Sequence, residues 1–277
     1  MKLRLTIAAC VACAALFAQS PAPSPHKETV VVTGTADPVP LEESDRSVDV
    51  IGNLRKELLL FGNLGNVFQL DSSVDLQQRA PGVQADIAIR GGTFGQTLVL
   101  LNGMRIDDVQ SAHHNFDVPA PLDAIGRVEI LRGSGSTLYG SDAVGGVVNV
   151  LTRADEQPEL VFRTAVGSFG TNAESGRLSF AHSIFTQQFS FERELSDGFE
   201  EDREYRNLSG SSETLIRTSL GATRIFFSGL DRPFGANQFY GDYNSWERTK
   251  TWFALVQQDL GRNTSLGFTF RRHTDLF

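Results

Sequence analysis

Two stretches of this sequence hold residue types that could do chemistry. The first is "RGSGSTLYGSDAVGG" (132–146), whose glycines invite comparison with phosphate-binding loops. A dinucleotide fingerprint needs G-x-G-x-x-G, and here Gly133 and Gly135 are followed by Leu138 at the third glycine position. A Walker loop needs G-x-x-x-x-G-K-[ST]. Gly135 and Gly140 have that spacing, but Ser141 and Asp142 stand where the lysine and hydroxyl belong. Both motifs fail at the residues that would neutralise or approach phosphate, so the glycines are read as serving turns and close backbone approach. The second stretch is "SAHHNFDVPAP" (111–121), in which His113, His114 and Asp117 have side chains able to ligate a metal. Adjacent residues of an extended segment point apart, and two ligands do not complete a site. The sequence is therefore read as holding no metal site and no cofactor. No Ser-His-Asp grouping or nucleophile elbow is present, so an enzyme is not expected.

Two architectures must position these stretches. Residues 41–153 mix α and β patterns. "TLVLLNG" and "RVEILRG" read as strands stopped by glycine turns, and "DSSVDLQQRAPGV" (71–83) reads as a short helix. Ser72 three residues before Asp75 suggests a capping box for that helix, and Pro81-Gly82 would end it. From about residue 154 the period changes to 2. Fifteen of the 20 phenylalanines lie in 159–277, in runs such as "SLGFTFRR", "QFSFERE" and "GRLSFAH". These place Leu266, Phe268 and Phe270, Phe189 and Phe191, and Leu178 and Phe180 on single faces. "TWFALVQQDL" is apolar on both faces at its centre. Short turns alternate with longer polar linkers, the pattern of an outer-membrane β-barrel wall.

The amino terminus reads as an export signal. Lys2 and Arg4 precede the apolar run Leu5–Ala18, too short for a spanning helix. "IAAC" resembles a lipoprotein cleavage box, but the apolar run continues past Cys10, which disfavours cutting there. Both cysteines, Cys10 and Cys13, fall inside the signal, so the exported chain would carry neither disulfide nor thiol. Loss of the signal would lower the net charge from −8 to −10. With four lysines and no basic run, nucleic acid is not an expected partner. Residues 19–27 are a proline-rich lead-in to the β-branched run "ETVVVTGT" (28–35).

The ordered motifs "APGV" (80–83), "IRGG" (89–92), "LVLLNGMRI" (98–106) and "RVEILRGSGSTLYGSDAVGGVVNVLTR" (127–153) resemble the plug domain of TonB-dependent outer-membrane receptors. The tail "YGSDAVGGVVNVLT" is especially similar to the cobalamin and catecholate-siderophore branch, and "ETVVVTGT" lies where that family carries its TonB box. "FGANQFYG" (234–241) is similar to its extracellular-loop segments. The resemblance implies a mixed α/β plug followed by antiparallel transmembrane strands of a barrel that is incomplete in this chain. Its divisions would be a signal at 1–18, a lead-in with TonB box at 19–40, a plug at 41–153 and first barrel strands at 154–277. It implies active transport of a metal chelate, a ferric siderophore first, across the outer membrane. Cobalamin or other nutrient uptake by the same mechanism is the alternative, and a non-transport structural barrel the third reading. The implied partners are TonB, outer-membrane lipid and the chelate. Carried over by position, Thr29, Val30, Val31, Val32 and Thr33 would be the TonB-binding strand. Arg90, Glu129 and Arg132 would lock plug to barrel, against the plain alternative of solvated strand-end charges. His113, His114, Asn115 and Asp117 would lie on a substrate-contacting plug loop. Such a large plugged transporter needs 22 strands, and residues 159–277 supply about six or seven at ~9–11 spanning residues each. The run "RRHTDLF" ends on Phe277 but sets Arg271, His273 and Asp275 where a barrel-assembly signal is apolar. The sequence is therefore read as the amino-terminal part of a longer protein.

Overall fold

The two patterns fold into two structural layers in a computed structural model that describes residues 30–35, 38–52, 62–108, 112–154, 156–261 and 264–277. The export signal, Thr29 and the lead-in before it lie outside the described residues. In the first layer, β1 (Val30–Val31) pairs antiparallel with β2 (Val39–Pro40). Then come β3 (Val48–Gly52), α1 (Leu64–Phe68), β4 (Val74–Gln78), β5 (Ala85–Ile89), β6 (Thr97–Leu101), β7 (Met104–Arg105), β8 (Ile125–Arg132), α2 (Ser136–Tyr139) and β9 (Gly146–Thr152). A five-stranded sheet has the order β3-β8-β9-β6-β7, with β6 and β9 parallel and the other pairs antiparallel. Strands β6 and β9 are nearly continuous apolar runs because the sheet is covered on both faces. Val99, Leu101, Val128, Ile130, Val148 and Val150 face a core shared with Phe68, Ile87 and Ile89. Leu98, Leu100, Leu131 and Val147 face the other way, onto Ala143 and Tyr139.

The helix expected over 71–83 is corrected. Residues Val74–Gln78 form a strand that pairs antiparallel with Ala85–Ile89. Strand β5 is buried along its whole length, so its backbone needs a partner. Val74 and Leu76 pack on the core while Asp75 and Gln77 alternate outward, a period of 2 that the capping-box spacing obscured. Gly82, at φ 78°, turns the chain between the two strands. The turn ahead of the strand is held by a different pair from the expected Ser72 and Asp75: Asp71 accepts from the N–H and Oγ of Ser73 at 2.8 and 2.7 Å.

The glycines of 132–146 have the roles expected of them. Gly133 and Gly140 take φ values of 110° and 88°. Gly146 is packed so closely that an added Cβ would sit 2.5 Å from the Leu131 carbonyl oxygen and 2.7 Å from Ile89 Cδ1.

The second layer is a seven-stranded antiparallel meander. Its strands are β10 (Glu159–Val166), β11 (Asn172–His182), β12 (Phe185–Ser196), β13 (Tyr205–Thr218), β14 (Gly221–Gly235), β15 (Trp246–Leu260) and β16 (Thr264–Leu276). Its pattern is inverted relative to a soluble sheet. Leu178, Phe180, Phe189, Phe191, Phe268 and Phe270 are exposed, whereas Arg177, Ser179, Gln188 and Ser190 are buried. The doubly apolar centre of β15 is explained by the first layer: Trp252 faces outward, while Phe253 and Leu255, with Phe226 of β14, join the plug core. Two-residue turns at 183–184 and 219–220 lie at one end of the meander, and longer connections at 167–171, 197–204 and 236–245 at the other. Among the described residues the sheet is not closed, since β10 and β16 each pair on one side. No described helix is long and apolar enough to cross a membrane.

Two stability tests follow. Gly146→Ala forces a methyl against backbone and should destabilise by about 1–3 kcal/mol, read as a lower denaturation midpoint of the detergent-solubilised protein. The second concerns Arg132, which ties the end of β8 to Asp71 at 2.9 Å and to Asp49 at 2.8 Å. Burial alone would raise the Asp71 carboxyl, but the Ser73 N–H, the Ser73 hydroxyl and the Arg132 guanidinium outweigh it and hold it below its ordinary value. A depressed carboxyl contributes stability that is present above its unfolded value and lost as pH falls through its folded one. Asp71→Asn should therefore cost about 1–3 kcal/mol at neutral pH. The difference from wild type should shrink as pH drops below the unfolded value of ~3.9, measured as paired unfolding curves across that range.

Candidate functional site

The candidate site is the seam where plug and wall meet, and it begins at the box-like segment. Val30 and Val31 are in β1, and Val31 and Thr33 are fully buried. The backbone N–H groups of Val32 and Thr33 both donate to Glu129 Oε2 at 2.9 Å. Arg127 neutralises the other oxygen of Glu129 at 2.8 Å, and Asn149 donates to the Thr33 hydroxyl at 3.0 Å. The segment Val30–Thr33 is thus held against the plug sheet by the buried Glu129 carboxylate and by Asn149, and pairs over two residues with β2.

Arg90, Glu129 and Arg132, expected to lock plug to wall, have their described bonds within the first layer. Glu129 holds the Val32–Thr33 backbone, and Arg132 holds Asp71 and Asp49. Arg90 is exposed, in the left-handed region at φ 51°, and its N–H donates to the Ser73 carbonyl. Among the described residues none of the three bonds to β10–β16. The cause is local: Glu129 and Arg132 sit on β8, an internal strand of the plug sheet, and the opposite charges and donors they meet belong to the plug itself. The bonds that do cross the seam come from the wall. Arg163 pairs with Asp123, and Glu192 accepts from the Leu122 N–H at 2.8 Å. Arg224 donates to the Thr152 carbonyl at 2.8 Å and Arg271 to the Asp107 carbonyl at 3.0 Å.

Arg232 of β14 makes the most buried of these contacts. Its guanidinium is hydrogen-bonded to Asp117 and donates to the carbonyls of Gly82 and Val83. Arg232 is 7% and Asp117 1% exposed, so this charge pair is almost wholly desolvated. Burial alone would raise the Asp117 carboxyl, but Arg232, His114, Thr249 and His273 outweigh it and hold it low.

The loop 112–117 places its side chains apart, as expected for its histidines. His113 turns to Asp86, 3.0 Å away, and stacks on Phe94. His114 takes a left-handed φ of 59° and points into the seam, toward Glu247 and Asp275. Asn115 bonds both the N–H and the carbonyl of Ile87, acting as a further partner for β5. His114, Asn115 and Asp117 are buried, and His113 alone of the four presents a substantially exposed side chain. Beside them the loop 236–245 covers the plug. Arg79 donates to the Phe239 carbonyl at 2.7 Å and lies over the rings of Phe239 and Tyr240. Tyr240 donates to Glu247 Oε2 at 3.1 Å; burial first, then Glu247, pushes its phenol up, so it remains a donor.

Sequence reasoning missed Arg232, Glu247 and Asp275. Alternation carries a partial signal: Glu247, Thr249 and Thr251 share the face of β15 opposite Trp246 and Trp252. It marks them as inward, but not as neighbours of a loop more than 120 residues earlier.

The family described as TonB-dependent Receptor Plug Domain matches residues 40–147. The iron-regulated outer membrane virulence protein of Vibrio cholerae is 36% identical over 137 residues, covering 47% of this chain and 21% of that protein. The vitamin B12 transporter BtuB of Vibrio vulnificus is 34% identical over 142 residues, covering 48% of this chain and 22% of that protein. The ferric yersiniabactin uptake receptor FyuA of Yersinia pestis superposes with TM-score 0.65 at 16% identity, covering 84% of this chain and 41% of that one. The pyoverdine receptor FpvA of P. aeruginosa gives TM-score 0.68 at 13% identity, covering 84% and 34%. The chain spans about a fifth of the length of the curated relatives it matches. The family match and the sequence relatives bear on the first layer, and the solved structures share the fold of both: residues 40–147 match the TonB-dependent receptor plug model, and the antiparallel strands that follow are folded like the wall of those receptors.

Proposed function

We propose that this chain is the amino-terminal part of a TonB-dependent transporter that takes up a metal chelate, a ferric siderophore first, across the outer membrane, and that it is not an enzyme. One observation carries the reading. The plug core closes onto the inner face of strands whose outer face is apolar, so a soluble domain fills the inside of a membrane wall. The relative named for iron regulation favours an iron chelate, and the one named as a vitamin B12 transporter supports cobalamin as the second reading. Export by the signal at 1–18 and recognition of Thr29–Thr33 by TonB belong to the same proposal. Two-residue pairing, two hydrogen bonds to Glu129 and one from Asn149 are a small hold, one that a partner adding its own strand could replace.

Deletion of the encoding gene should abolish growth on a ferric chelate under iron limitation and leave cobalamin-dependent growth intact. The opposite pattern supports the second reading, and no defect in either overturns both. Val30 is exposed, so Val30→Pro should spare folding while removing a backbone donor from the pairing strand. Uptake by the full-length receptor should fall about tenfold or more, equivalent to ~1.4 kcal/mol of lost pairing, with chelate binding to whole cells unchanged. At the seam, Arg232→Met leaves Asp117 buried without its cation and should cost about 3–5 kcal/mol. Limited proteolysis should then cut the plug faster, and adding Asp117→Leu should restore part of the resistance.

A further inference from the structure

We infer that His114, Glu247 and Asp275 form a site for one first-row divalent cation of zinc type, pinning the plug loop 112–117 to wall strands β15 and β16. Their ligand atoms all lie within 4.8 Å of one another. His114 Nε2 is 3.4 Å from Glu247 Oε1 and 3.5 Å from Asp275 Oδ2. Two donors bound tetrahedrally at about 2.0–2.1 Å are separated by roughly 3.4 Å, so the two spacings are those a bound ion sets. One imidazole and two carboxylates are a donor set for zinc rather than for calcium or magnesium.

The surroundings prepare the donors. Tyr240 donates to Glu247 Oε2, which leaves Oε1 turned to His114. Glu247 is 1% exposed, and its Oε1 has no hydrogen-bond partner. His114 is 5% exposed, and its Nδ1 faces Asp117 Oδ2 at 4.0 Å while Arg232 holds the other side of Asp117. Nδ1 has no hydrogen-bond partner; with the ring proton on that nitrogen, on the side of the Asp117 carboxylate, the Nε2 lone pair is left for a metal. Among the described residues Glu247 and Asp275 have His114 as their only ion-pair partner within 4 Å. A buried carboxylate left in that state is costly, and a cation removes the cost. Asp275 is 40% exposed and gives an entry path. His273 stands beside the site, its ring 5.7 Å from that of His114 and its Nε2 without a partner.

The site is a resident cation between plug and wall, separate from whatever the receptor carries, so its test does not depend on cargo. The full-length receptor, purified in detergent and stripped with a chelator, is titrated with zinc chloride against a chromophoric chelator. One zinc per chain should bind, with N/O donors at about 2.0 Å in zinc-edge X-ray absorption, and the melting temperature should rise. Asp275→Asn, at the exposed ligand, and Glu247→Gln should each weaken zinc by at least tenfold. His113→Gln, facing Asp86, should bind as wild type does. If His114→Gln fails to fold, Asp275→Asn decides alone. No stoichiometric zinc in the wild type, unchanged affinity in Asp275→Asn, or equal loss in His113→Gln would each overturn the site.

Discussion

A wall that turns its apolar side chains outward must turn its polar ones inward, and everything inside has to come to terms with that face. Along β11 and β12 the inward positions are Arg177, Ser179, Gln188 and Ser190, while Leu178, Phe180, Phe189 and Phe191 look out. A domain packed against such a face cannot rely on apolar burial alone. It must answer buried charges with opposite charges or backbone groups, or leave them unsatisfied at a cost of about 1–3 kcal/mol each. The plug answers at Asp117, Asp123, Leu122, Asp107 and Thr152, each met by a wall side chain. Several of these are plug carbonyls or N–H groups at loop and strand ends, where the backbone has bonds to give.

This constraint explains which parts of the molecule were legible in the sequence. Strand alternation after residue 158 revealed the wall because period 2 is a local property, and it named the outward phenylalanines residue by residue. The plug strands were visible as apolar runs with glycine stops. The error at 71–83 came from a polar stretch that suits two structures: Ser72 three before Asp75 fits a capping box, while the neighbouring Asp71 and Ser73 hold a turn. Strand β5 decided between them, since a fully buried strand needs an edge partner, a demand that does not show within 71–83 itself. The seam was least legible. Position in motifs pointed to Arg90, Glu129 and Arg132, yet two of these answer charges and donors inside the plug, and the wall's Arg232, Glu247 and Asp275 are placed by tertiary register alone. The loop histidines were correctly read as diverging; the partners waiting for His114 lie on strands far along the chain.

The glycine-rich stretch shows the same economy. Its motif failures excluded phosphate chemistry on residue grounds, and its geometry supplies another purpose. Gly146 lets β9 pass between the Leu131 backbone and the Ile89 side chain, and Gly133 and Gly140 turn the chain around α2. The result is a sheet buried on both faces within a small domain, its second face closed by the same glycine segment through Ala143 and Tyr139.

The distribution of contact types along the seam has a mechanical consequence. Phe226, Phe253 and Leu255 are the wall side chains that enter the main plug core, and each buried apolar side chain contributes roughly 1.5–3 kcal/mol. A second apolar patch joins Ala80 and Val83 of the plug to Tyr205, Phe234, Ala236 and Phe239 of the wall and its loop, and between the two patches the seam consists of discrete polar contacts. Charge pairs and hydrogen bonds at a partly hydrated interface can exchange partners singly, with water replacing each lost contact, whereas an apolar patch gives way as a unit. A plug held by two apolar patches and a series of separate polar contacts can therefore exchange its polar contacts one at a time while the patches keep their register with β13, β14 and β15. On the proposed transport reading, a pull applied at Val30–Thr33 would act on β8 through Glu129. Strand β8 pairs with β9 along seven registered positions, and the stiffness of that sheet is what would carry the force from the box segment toward the seam.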